Sequence, residues 1–352
     1  MDFKKELKKN KIDSLLITSS QNIFYLTNYK GFLNEEKDAK ILITAKINYL
    51  ITDKRYIGEL KYLKEFKIVE QSNLEEIIEK NKIKSVGFEE NSVTIFEHKI
   101  LRKYFKKLKP IQDVIENLRE IKTEEEIVKI QKACRLGDKT FKYLLDKIKE
   151  GITEEKLASK LEIFIKENEA DISFTPIVAF GKNSAVPHHQ NGKTKLRKGM
   201  IVLLDFGINY KGYCSDMTRT LFFGEKNEKF ENIYKTVLEA QNCAIDFINQ
   251  ELKVRNRNIK ASETDKKARS YIIGKGFNSI PHSTGHGIGI QVHEKPSLSP
   301  KNNDILKSGM IFSIEPGIYL ENFGGVRIED LFYLSGKGLK KLTHSPSGIF
   351  YL

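Results

Sequence analysis

MIVLLDFGINYKGYCSDMTRTLFF, residues 200–223, is the stretch whose reading decides how the rest of this chain is understood. An apolar run enters through residues 201–204, turn-forming residues occupy 209–212, and a second run leaves through 218–223. That is the pattern of a β-hairpin. Asp205 and Asp216 stand symmetrically about the middle of the turn, which predicts that they lie opposite each other on one face. Two carboxylates side by side among apolar residues repel each other and resist burial. Such a pair persists only with a shared proton, a basic partner or a cation between them. Taken alone, the hairpin fits equally well a turn-proximal Asp and an unrelated surface Asp.

A second stretch, IFSIEPGIYLENFGGVRIEDLFYL at 311–334, repeats the pattern, with its turn around 322–325 and with Glu315 and Glu329 symmetric about it. Between the hairpins lies HSTGHGIGIQVHE, 282–294, which sets His282, His286 and His293 among glycines that allow close backbone approach. Two Asp, two Glu and one His form a ligand set large enough for two divalent metals. So many carboxylates favour Mn²⁺, with Co²⁺ or Zn²⁺ as alternatives, over a thiolate-type structural zinc site. Two such ions about 3.5–4 Å apart polarise a carbonyl and activate a shared water, which is hydrolytic chemistry.

DFGINYKGYCSDMTRT (205–220), HSTGHGIG (282–289), IEPGIY (314–319) and GGVRIED (324–330) together resemble the signatures of the pita-bread dinuclear metallopeptidases. That family includes methionine aminopeptidase, aminopeptidase P, prolidase and the metal-free creatinase. NIFYLTNYKGF (22–32) and ITDKRY (51–56) resemble segments of the N-terminal domain of the last three, which methionine aminopeptidase lacks. The resemblance therefore implies the proline-directed branch. It implies an α+β pita-bread catalytic domain preceded by a smaller creatinase-like α/β domain.

For the site, the resemblance implies Asp205 as a ligand of one metal, Asp216 and Glu329 as bridges, and His286 and Glu315 as ligands of the second. Glu315 would also be the general base. His188, which follows SAVP, and His293 would face the scissile carbonyl. His282 would lie near the pocket for the residue after the scissile bond, and Arg327 would orient the ligand carboxylates. Tyr213 would either hydrogen-bond near Asp216 or simply pack, and His189 would sit idle in solvent. The implied activity is Xaa-Pro aminopeptidase: hydrolysis after the N-terminal residue of peptides with proline second, by a metal-bridging hydroxide. The alternative is an Xaa-Pro dipeptidase. Ser297 stands where some prolidases carry a carboxylate-binding arginine, which leans toward the aminopeptidase. Retention of all five ligands argues against creatinase chemistry and against a catalytically dead peptide-binding module.

The 352 residues are enough for two domains with proper cores, and 39% hydrophobic content places the chain among globular proteins. Short apolar strand candidates (14–19, 41–44, 49–52, 68–69, 85–88) alternate with helix patterns (74–82, 92–107) up to a boundary near Glu120. The reading is thus an α/β domain over 1–120 and a catalytic domain over 121–352. The second domain opens with helices: Thr123 before three glutamates, and Thr153 after Gly151, are good helix starts. Further helix patterns cover 228–249 and 262–274.

No apolar run approaches a membrane span, and no signal-peptide core opens the chain. Cys134, Cys214 and Cys243 are odd in number and not in CxxC spacing, so a reduced cytoplasm is expected. The net charge of +13 comes from lysine spread along the whole chain, and KKLK at 106–109 is too short for a binding tail. Neither a nucleic-acid nor a membrane partner is expected. A homodimer is expected by resemblance.

Overall fold

The computed structural model describes residues 3–33, 36–254 and 258–352. The chain divides into two compact units, Met1–Leu118 and Arg119–Leu352.

The first unit is built on a six-stranded mixed sheet. Its spatial order is Phe66–Glu70, Asn48–Thr52, Ala39–Thr44, Ser14–Ile17, Ser85–Glu89, Lys107–Ile111. Ser14–Ile17 is buried along its whole length, as a central strand covered on both faces must be. The sequence reading passed over Lys107–Ile111 because its lysines look like a charge run. It is an edge strand, where lysine side chains reach water and Pro110 withholds no needed donor. The helices are shorter than the patterns suggested, Leu74–Lys80 and Ile95–Tyr104, the latter fixed by a Thr94–Glu97 capping box. Tyr29, Phe32 and Tyr56 pack ring against ring, and the Tyr56 hydroxyl donates to Asp38 at 2.7 Å.

In the second unit each half wraps a helix pair around an acidic hairpin. Helices Glu124–Leu145 and Glu154–Glu167 start at Thr123 and Thr153, whose side chains accept from the first-turn backbone. They share one buried core with the strands Ile177–Phe180, Met200–Phe206 and Met217–Phe223. Helices Glu228–Glu251 and Ala261–Gly274 share the other with a five-stranded sheet, Glu294–Leu298, Gly285–Gly287, Ile311–Ile314, Asp330–Ser335, Gly338–Lys341. No helix among the described residues is long and apolar enough to cross a membrane, and all three cysteines are free thiols.

The first hairpin turns on two residues, Lys211 and Gly212, both at positive φ (51° and 87°). That is the I′ geometry, which matches strand twist. The turn centre is one residue later than the sequence symmetry suggested, so the register shifts by two: Asp205 pairs with Thr218, not with Asp216. A shift of two preserves the alternation of faces. Asp216 lies just before the Met217–Phe223 strand. In the second hairpin, Ile314 pairs with Asp330 and Gly317 with Arg327, one register on both sides of Glu315 and Glu329, which sets those two opposite.

Arg219 stitches the hairpins together. This fully buried side chain binds Asp330 Oδ1 at 2.6 Å and donates to the carbonyls of Thr218 and Glu329. It also donates to the carbonyls of Ser345 and Pro346.

Candidate active site

His286 sits in the middle of the Gly285–Gly287 strand, which is pinned where only glycine fits. A Cβ at Gly285 would lie 2.0 Å from the Ser313 carbonyl oxygen, and one at Gly287 2.1 Å from that of Lys295. Its Nε2 lies 3.3 Å from Glu315 Oε1, 3.6 Å from Asp216 Oδ2 and 3.9 Å from Glu329 Oε1. Asp216, His286 and Glu329 offer ligand atoms all within 4.8 Å of one another. Asp205 joins from the first hairpin, its Oδ2 held by Arg327 Nη2 at 2.6 Å.

Asp205 Oδ1, Asp216 Oδ1 and Glu329 Oε1 are buried without any hydrogen-bond donor. Buried acid oxygens left unpaired are costly and rare. Three on acids that line one cavity with His286 fit divalent cations. Burial, then the charges of Glu329, Asp205 and Glu315, hold Asp216 well above the usual carboxylate range. Burial, then Glu315 and Asp205, do the same to Glu329. Burial also raises Glu315, against the opposing pull of His282 and Arg327. Burial lowers His286, favouring the neutral ring that a metal requires. A group of acids that resists ionisation without a countercharge is a candidate cation site.

Arg327 carries a relay along the edge of this centre. Besides Asp205, its Nη1 donates to the Tyr319 hydroxyl at 2.7 Å and its Nε to Thr218 Oγ1 at 3.1 Å. Thr218 in turn donates to Glu329 Oε2 at 2.7 Å. Burial disfavours the guanidinium charge, but Tyr319, Asp205 and Glu315 outweigh it and hold Arg327 firmly protonated.

Residues 128–335 match the metallopeptidase family M24 model, and residues 2–121 match the creatinase/prolidase N-terminal domain. An Xaa-Pro dipeptidase of Pyrococcus horikoshii is 36% identical over 95% of this chain and 93% of its own. The structure of an Xaa-Pro dipeptidase from Bacillus anthracis superposes with a TM-score of 0.92, at 33% identity, over 99% of this chain and 98% of that one. An X-Pro aminopeptidase from Thermotoga maritima gives 0.87 at 32% identity, covering 97% and 98%. The chain belongs to metallopeptidase family M24.

This M24 peptidase is a metal-dependent hydrolase with a creatinase-type N-terminal domain and a pita-bread C-terminal domain. Its candidate site opens into a cavity of about 820 Å³. Phe174, Pro176 and Ile177 give the cavity an apolar wall, and His188, exposed on its loop, also lines it. The His293 ring meets that of His286 edge to face, centroids 4.4 Å apart. Burial and His286 both lower its pKa.

His282 lines the cavity with both ring nitrogens engaged: Nδ1 meets the Ser283 carbonyl at 2.7 Å and Nε2 the Tyr319 hydroxyl at 2.8 Å. A carbonyl only accepts, so Nδ1 carries the proton and Nε2 accepts from Tyr319. Ser297 pairs with His286 across the ladder and is not among the described residues lining the cavity.

One expectation is corrected. His189 is not idle in solvent: its Nε2 lies 2.9 Å from Oε2 of the fully buried Glu154. Of the two alternatives for Tyr213, the residue is buried and its hydroxyl donates to Glu126 on the Glu124–Leu145 helix. Among the buried carboxylates that escaped the sequence reading are Glu154 and Glu294. The latter is clamped by Arg119 and Lys122 next to His293. Their partners are far away in the chain, and no local motif marks either.

Proposed function

We propose that this M24 peptidase hydrolyses Xaa-Pro dipeptides, with two divalent cations held by Asp205, Asp216, His286, Glu315 and Glu329. The observation that carries the metal centre is the cluster of Asp216, His286 and Glu329, with donor-less buried oxygens on Asp205, Asp216 and Glu329. An oxygen-rich set with one imidazole favours Mn²⁺. When bound, such ions polarise a carbonyl and make water nucleophilic at neutral pH. Glu315, its affinity for a proton raised by burial, takes the proton of the attacking water and passes it to the leaving nitrogen. His188 and His293 donate to the carbonyl oxygen as charge develops on it. Arg327 holds Asp205 in place for its cation. A bond to proline offers no N–H, so polarising its carbonyl is the recognition that remains.

The dipeptide preference rests on the names carried by the relatives, and it replaces the aminopeptidase as the leading reading. One observation favours the aminopeptidase as a second reading. Arg327 is the only Lys or Arg among the described cavity residues, and each of its three nitrogens already donates. A free carboxylate after proline would therefore compete with the Asp205 ion pair that Arg327 already makes. Metal-stripped protein restored with Mn²⁺, Co²⁺ or Zn²⁺ and given Ala-Pro and Ala-Pro-Ala separates the two. Faster cleavage of Ala-Pro supports the dipeptidase, and cleavage of the tripeptide alone refutes it. We further propose a cytoplasmic homodimer, in keeping with the free thiols; light scattering gives its mass in solution.

A further inference from the structure

We propose that Glu154, which does not line the cavity, is the positioning residue for His188. The inference rests on the role given to His188 above.

Its carboxylate is fully buried and accepts four hydrogen bonds. Oε1 takes the Phe180 amide at 2.8 Å and Asn183 Nδ2 at 2.9 Å; Oε2 takes the Gly192 amide at 3.0 Å and His189 Nε2 at 2.9 Å. Those donors come from both ends of the loop that carries His188, so one side chain closes the loop on itself. Within it, Val186 to His189 form a β-turn: the His189 amide donates to the Val186 carbonyl at 3.1 Å, with Pro187 and His188 at the corners. Proline presets the first corner, which leaves His188 at the second. Anchoring the His189 ring on Glu154 fixes the last residue of this turn, and with it the direction of the corner side chain. Both adjacent histidines line the cavity, but only His189 is anchored on Glu154, which leaves the His188 ring free for the substrate.

Glu154 is itself well held. It is the first residue of the Glu154–Glu167 helix, capped by Thr153, where the helix dipole favours a carboxylate. Asn191 braces the same loop, accepting from the Val178 amide at 2.7 Å and donating to the Pro176 carbonyl at 2.8 Å. The bonds to the Glu154 carboxylate, made out of water, belong to the stronger, charge-assisted class.

Glu154→Gln tests the idea. An amide keeps an acceptor for one pair of donors but turns its own N–H groups on the other pair. The expected result in metal-loaded protein is a fall in kcat on Ala-Pro of about tenfold to 10²-fold, the consequence of misplacing a catalytic group by about an ångström. KM and metal stoichiometry should stay near the parent values. In a His188→Ala background the same substitution should change the rate by less than about twofold, because coupled residues are not additive. His189→Leu, which removes one donor and leaves the buried acid in place, covers the case in which Glu154→Gln does not fold. It should repeat the loss, and His189→Gln, which keeps a donor, should recover most of it. In Zn²⁺-loaded, ¹⁵N-histidine-labelled protein, the His188 ring signals should move in Glu154→Gln and His189→Leu while those of His293 stay. That reading needs no substrate. Equal losses with and without His188, loss of metal, or unmoved His188 signals overturn the proposal. A silent His188→Ala refutes the role given to His188 and the positioning with it, whereas an impaired His188→Ala with additive losses refutes the positioning alone.

Discussion

Stripping the divalent cations should make the stability of the catalytic domain fall as pH rises. Without metal, Asp216, Glu329 and Glu315 all hold their protons more tightly than ordinary carboxyls, through burial first and one another's charge second. In the unfolded chain they return to values near 4. Above that pH the folded state binds more protons than the unfolded one, so the slope of stability against pH is negative. The contribution is complete below about pH 4 and is lost as pH climbs through the raised folded-state values. Each extra proton held is worth about 1.4 kcal/mol per pH unit. For a domain of 150–250 residues that corresponds to roughly 3–6 °C in Tm. His282, His286 and His293, lowered by burial, act with the opposite sign as their unfolded forms titrate near 6.5. The acid slope is therefore cleanest above that. Thermal unfolding of chelator-treated protein between about pH 6.5 and 8.5 should show Tm falling with pH, while Mn²⁺-loaded protein stays level or rises. A stripped protein whose Tm climbs over that range would refute the assignment of these acids as a proton-holding cation site.

Arg327→Met removes donors to Asp205, Tyr319 and Thr218 at once and should destabilise by about 3–5 kcal/mol, as breaking a buried ion pair does; denaturant unfolding and metal titration measure it. Replacing His188 or His293 by Ala should lower kcat by about 10²–10³ at unchanged metal content. His286→Ala should lose metal as well, and mass spectrometry of the native protein distinguishes the two classes. Gly325→Ala would drive a Cβ to 2.2 Å from the Ser184 carbonyl oxygen, a backbone atom with no rotamer to yield. Overpacking of that kind should cost about 1–3 kcal/mol, read as a lower denaturant midpoint.

The two acidic hairpins were legible because period-two alternation and turn residues are local signals. Glu315 and Glu329 could be paired by counting from the turn, since that hairpin keeps one register on both sides of them. Counting misplaced Asp205 and Asp216 because the turn is Lys211-Gly212 rather than Tyr210-Lys211. Only the backbone angles reveal a lysine at positive φ. Helix starts at Thr123 and Thr153 were equally visible, a capping side chain and its acceptor being neighbours in sequence. What stayed hidden depends on contacts between distant residues. Nothing near Glu154 announces that its acceptors serve Phe180, Asn183, His189 and Gly192, and nothing near Glu294 announces Arg119 and Lys122. His189 looked idle for the same reason.

Arg219 also sets an order of events during synthesis. The guanidinium that joins the two hairpins finds its acceptors in Thr218, Glu329, Asp330, Ser345 and Pro346, all but the first more than a hundred residues later in the chain. Phe222 and Gly224 then exchange backbone bonds with Phe350 and Leu352. A nascent chain that has made the Asp205 hairpin holds a charged side chain with nowhere to go, beside acids with no countercharge. Completion of this half of the molecule therefore waits on residues 329–352, and a chain stalled before Ser345 presents an open hairpin to chaperones and proteases rather than a finished site.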